Sequence, residues 1–142
     1  MNGNAELLNF IYQNSEMGIE ALEKLISISK DDKFKQCLQS QLKEYKIINN
    51  KVIEKLNENG YDEKGIKTFT KIQSYIMINI QTMMDKTSSH LSEMLITGSN
   101  MGVIDAIKNI KKYKDAEQSI LKLMDDLKKF EENNIEQLKA FL

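Results

Sequence analysis

Residues 113–142, YKDAEQSILKLMDDLKKFEENNIEQLKAFL, decide the fold class. Ala116, Ile120, Leu123, Leu127, Phe130, Leu138 and Phe141 recur three or four apart, so a helix gathers them on one stripe, with Lys, Asp and Glu on the opposite face. A helix of this kind has to bury its stripe against other helices. Asn134 falls within the stripe and Glu131 lies one turn before it, so Glu131-x-x-Asn134 points at the packing seam where a simple bundle would carry leucine.

Working outward, the whole chain has an all-α composition. It contains no proline and six glycines in 142 residues, so the strongest helix breaker is absent and helices can run long. That length suits a single domain, 1–142, with a core large enough to dispense with disulfides or a structural metal. Twenty Lys and Arg against 21 Asp and Glu leave a net charge of -1, which supplies no basic field for nucleic acid. A lone cysteine, Cys37, fits a reducing compartment. The start, MNGNAELLNF, has neither a basic leader nor an export core, and no apolar run approaches the ~20 residues of a spanning helix. The expectation is a cytoplasmic protein that binds neither membrane nor nucleic acid.

Upstream, a first helix is expected after Asn4 as N-cap, reaching about Ser29, with Leu7, Ile11, Gly18, Ala21, Leu25 and Ile28 inside and Asn14 and Ser15 interrupting them. Asp31 or Asp32 caps a second, whose inner residues are Phe34, Cys37, Leu38, Ile48, Val52 and Leu56, interrupted by Gln41 and Glu44; Gly60 closes it. A third helical piece between Gly65 and Met84 carries Phe69, Ile72, Ile76, Ile80 and Met83 on one stripe, with Met77, Ile78 and Met84 off it. Apolar on two sides, it calls for two partners, its own bundle and a second subunit, which marks Tyr75, Met77, Ile78 and Met84 as an interface. A strand is the alternative there, since Ile76, Ile78 and Ile80 alternate, but nothing strand-like exists to pair with it. A fourth helix runs from about His90 to Lys112 with Ile96, Val103, Ile107 and Ile110 inside and Asn100 among them. Gly98 and Gly102, one turn apart, favour close approach of another helix over a bend.

The interruptions Asn14, Gln41, Glu44, Asn100, Glu131 and Asn134 come from all four long helices and are expected to converge on one interior polar layer. Here the chain resembles known proteins. Glu131-Glu-Asn-Asn-Ile-Glu-Gln-Leu138 resembles the end of the last helix of ferritin-like proteins, Glu-Glu-x-His-Ile-x-x-Leu, and Glu44-Tyr-Lys-Ile47 followed by Leu56-Asn-Glu-Asn-Gly60 is similar to their second helix. Leu8-Asn-Phe-Ile11 through Glu16-Met-Gly18, Ala21 and Asp32-Lys-Phe-Lys35 resemble an uncharacterised bacterial ferritin-like domain family (the domain of unknown function numbered 2383). The resemblance implies a four-helix bundle with an extra crossover helix within residues 61–89. It also implies departures. The two ligand histidines fall on Ile47 and Asn134, and the third-helix carboxylate on Ser99 or Asn100, so di-iron chemistry and enzymatic activity are not expected.

The leading expectation is thus a non-enzymatic homodimer or small oligomer without cofactor, working through an unidentified protein partner. The rival is a carboxylate-only metal protein using Glu16, Glu44, Glu131 and Glu132, with Glu20 as a further candidate, for Mn or Fe; oxygen-only ligands suit Mn, Mg or Ca better than a redox iron pair. A third reading is a carrier of apolar ligands with adaptable Met walls. His90 and Cys37 are expected to be a helix-start residue and a small buried hydrophobe, not catalytic groups.

Overall fold

The computed structural model describes residues 2–61 and 71–142. Five helices occur among them and no strand: α1 Asn4–Ile28, α2 Asp32–Glu58, α3 Lys71–Thr82, α4 Ser88–Lys112 and α5 Gln118–Lys139. The run around Ile76, Ile78 and Ile80 is therefore helical. Residues 65–70 of the expected third helix, Phe69 among them, lie outside the described residues, as does the side chain of Ile72.

α1 pairs with α2 and α4 with α5 far more extensively than any other two helices. Short links make these neighbours antiparallel, and two apolar clusters fix how the hairpins meet. One cluster joins the start of α1 (Leu7, Leu8, Ile11) to the end of α2 (Val52, Leu56), to Ala106 and to the start of α5 (Ile120, Met124). The other joins the end of α1 (Leu22, Leu25) to the start of α2 (Phe34, Leu38), the start of α4 (Leu91, Met94) and Leu138. Completely buried Phe34 caps this second end with its ring edge-on to Phe141, centroids 5.1 Å apart. Burying one such ring contributes about 1.5–3 kcal/mol. α2 thus ends in the first cluster while α4 begins in the second. α3 lies against α4 and α1, seating Ile76 beside Ala21 and Met101.

Capping explains the helix ends, and one end corrects the sequence reading. Asp31 caps α2, accepting from the N–H groups of Lys33 and Phe34 at 3.0 and 3.2 Å, and Ser88 at the head of α4 donates to its other oxygen at 3.1 Å. The Phe34 N–H and the Ser88 hydroxyl hold the Asp31 carboxyl below its usual range. Thr87 caps α4 through the N–H of His90, which places His90 in the first turn. Gly60, at φ 70°, closes α2. Asn4, by contrast, is not the cap of α1. Gly3 takes that position at φ 84°, and buried Asn4 sends Oδ1 across the molecule to accept from the N–H of Glu117 at 2.9 Å, holding the start of α5. A turn over residues 113–117 leads into the last helix, in keeping with the turn near Tyr113 to Asp115 that the sequence suggests.

Candidate functional site: a buried polar layer

A polar layer separates the two apolar clusters. Its centre is Glu131 on α5, only 3% exposed. Tyr45 on α2 donates its hydroxyl to Glu131 Oε1 at 2.6 Å, while Oε2 has no hydrogen-bond partner among the described residues. Burial raises the Glu131 carboxyl to about 7, against the pull of the Tyr45 and Ser99 hydroxyls. The same burial, followed by the negative charge of Glu131, pushes the Tyr45 phenol well above its ordinary value. The Tyr45 ring is held edge-on by Phe130, centroids 4.7 Å apart.

Gly18 on α1 makes this arrangement possible. A Cβ there would stand 2.6 Å from the Tyr45 ring, so the phenol reaches Glu131 only because the facing residue has no side chain. Gly98 on α4 plays a similar part for α3, since a Cβ there would meet Ile76 at 3.1 Å. Gly18 and Gly98 thus serve close packing. Between the helices lies a cavity of about 30 Å³ whose polar lining is Asn14, Gln41, Tyr45, Ser99 and Glu131. Gln41, also buried, donates its amide nitrogen to Gln137 Oε1 at 3.3 Å and to the Cys37 sulfur at 3.6 Å. A second polar group sits nearby between α1 and α2: Asn49 donates to Ser15 Oγ at 3.0 Å and to Glu16 Oε1 at 3.1 Å.

Of the six residues expected to converge, Asn14, Gln41, Glu131 and Asn134 are buried, with Asn134 Nδ2 unpartnered among the described residues. Glu44 and Asn100 are exposed and do not belong to the layer. The reason is rotation: one residue turns a helix by ~100°, so the inward groups are their neighbours Tyr45 and Ser99. The α4 stripe was displaced in the same way. Its inner face is Leu91, Ser92, Leu95, Gly98, Gly102 and Ala106, whereas Ile107 is exposed and Ile96 and Val103 only half-buried. Small residues carry a weak apolar signal, and the larger β-branched ones drew the reading to the wrong side.

The rival ligand set is dispersed. Glu44, Glu20 and Glu132 are exposed, Glu132 pairing with Lys128 at 3.6 Å, while Glu16 faces Asn49. Among the described residues no three His, Cys, Asp or Glu side chains gather where they could hold a metal ion. Cys37 is half-buried, and burial pushes its thiol up, away from the thiolate a nucleophile needs. On α3, Tyr75 and Met77 are half-buried, Tyr75 packing into this chain's own clusters, whereas Ile78 and Met84 are 58% and 96% exposed. No helix among the described residues is long and apolar enough to cross a membrane. No family model matches the chain, nor does any curated protein or solved structure.

Proposed function

We propose that the protein is a ferritin-like scaffold whose interior metal layer has been replaced by hydrogen-bonded polar groups, and that it acts in the cytoplasm as a structural or protein-interaction module. The observation that carries this reading is the composition of the layer: one carboxylate, Glu131, surrounded by hydroxyls and amides. A di-iron centre draws on several carboxylates and two imidazoles from facing helices; here the other candidate carboxylates face solvent or Asn49. The ferritin-like assignment is supported by the two antiparallel hairpins and by the link from α2 to α4, which joins opposite clusters with α3 as its crossover helix. The apolar-carrier reading gains no support, because ligand pockets occupy roughly 300 Å³ or more and this cavity holds about 30 Å³.

Partner binding is assigned to the outer face of α3 and the segment that follows it, where Ile78 and Met84 stand exposed, with a homodimer as the simplest assembly. Elemental analysis of protein purified without chelator, followed by anaerobic Fe(II) and Mn(II) titration, tests the scaffold reading. The expected result is no stoichiometric Fe or Mn. Stoichiometric metal that disappears in Glu131→Ala would restore an active-site reading and overturn the proposal.

A further inference from the structure

The Glu131 carboxylate lies in the interior with Tyr45 on Oε1, the Ser99 hydroxyl close enough to lower the carboxyl, and no hydrogen-bond partner for Oε2 among the described residues. None of the described residues lining the adjacent cavity is Lys, Arg or His. The rest of the polar lining offers oxygen. The amide nitrogen of Gln41 is committed to Gln137 and Cys37, which leaves its carbonyl oxygen available; Asn14 contributes another amide, and Tyr45 and Ser99 contribute hydroxyls. A carboxylate in such a place either takes up a proton, as the raised Glu131 carboxyl does toward acid pH, or, once ionised, is stabilised by a positive partner.

The charge and the size of that partner are both bounded. One carboxylate balances one positive charge, too little for Mg or Ca, which gather several charged or hydrated oxygens, and the absence of imidazole and thiolate from the described lining disfavours transition metals. The cavity of about 30 Å³ exceeds the roughly 10–15 Å³ that one water-sized occupant requires. We propose that this cavity binds a single water-sized monovalent cation, ammonium or potassium, between Glu131 and the neutral oxygens of Asn14, Gln41, Tyr45 and Ser99. The site is independent of the surface through which the scaffold is proposed to act.

Unfolding of the full chain, followed by circular dichroism at constant ionic strength in potassium, ammonium or tetramethylammonium chloride, tests the site. A pH of ~8 keeps Glu131 ionised, and tetramethylammonium is too large for the cavity. Potassium or ammonium is expected to stabilise relative to tetramethylammonium, lowering the unfolding constant about a hundredfold at ~100 times its Kd. The larger of the two effects identifies the ion. Glu131→Gln, isosteric and neutral, is expected to erase the difference, along with the proton release that accompanies cation addition near pH ~7. Equal stability in the three chlorides, or a difference that survives Glu131→Gln, would overturn the site and leave water as its occupant. Should Glu131→Gln lack helical structure, Ser99→Ala is expected to move the cation midpoint to higher concentration, and an unmoved midpoint overturns the site equally.

Discussion

The buried Glu131 carboxyl ties stability to pH between the ordinary carboxylate range and neutrality. Glu131 takes up its proton at about 7 in the folded chain and at about 4.5 in the unfolded one. Between those values the folded state binds more protons, so stability falls as pH rises through that window and levels off above it. The loss amounts to about 3 kcal/mol. Urea titrations across this range in tetramethylammonium buffer should show that decline in the wild type and a flatter profile in Glu131→Gln. Gly18→Ala tests the other side of the same contact. Its methyl group would have to displace the Tyr45 ring, at a cost of about 1–3 kcal/mol by overpacking, and the environment of Tyr45 should change in tyrosine fluorescence. At this scale the sequence was half legible. Glu131 and Asn134 announced themselves by interrupting a stripe of large apolar residues. Tyr45 did not, because its neighbour Glu44 carried the polar signal and took the inward position in the sequence reading.

The helices depend on contacts from outside themselves at two starts. Asn4 holds the head of α5, and Ser88 braces the cap of α2, so each hairpin fastens the other. Asn4→Ala should cost about 0.5–2 kcal/mol, the range for lost N-caps; in hydrogen exchange it should deprotect the first turn of α5 more than the first turn of α1. An effect confined to α1 would mean that the bond to Glu117 contributes nothing. Periodicity found most of the inner faces of α2 and α5, including Phe34, Leu38, Ile120, Leu127 and Leu138, although it turned Glu44 inward in place of Tyr45 and passed over Met124 and Ile135. It failed on α4, where Gly98, Gly102 and Ala106 form the inner face and Ile104 and Ile107 are exposed. A face made of small residues is recognised by what packs on it, here Ile76, and that information lies in another part of the chain. The cap of α2 was legible to within one residue, Asp31 or Asp32, and the structure selects Asp31; the role of Asn4 was not, since its partner is 113 residues away.

For the molecule as a whole, the all-helical class and the length of the helices followed from the absence of proline and the regular stripes. Which hairpin face meets which did not, because periodicity says that a face is buried and never against what. The exposed Ile78 and Met84 give the assembly its test. Ile78→Lys with Met84→Lys should halve the mass seen by light scattering while leaving the circular dichroism and melting temperature nearly unchanged, since neither side chain is buried in the monomer. An unchanged mass would remove α3 as the interface. The clusters also fix the direction of the outermost helices. α1 and α5 both begin in the Leu7 cluster and end in the Leu25 cluster, so they run parallel, with Asn4 and Phe141 at opposite ends. Tension applied between those two points would therefore drive the two helices past one another along their common axis, loading every contact between them at once, where a pull on adjacent ends would open them one turn at a time.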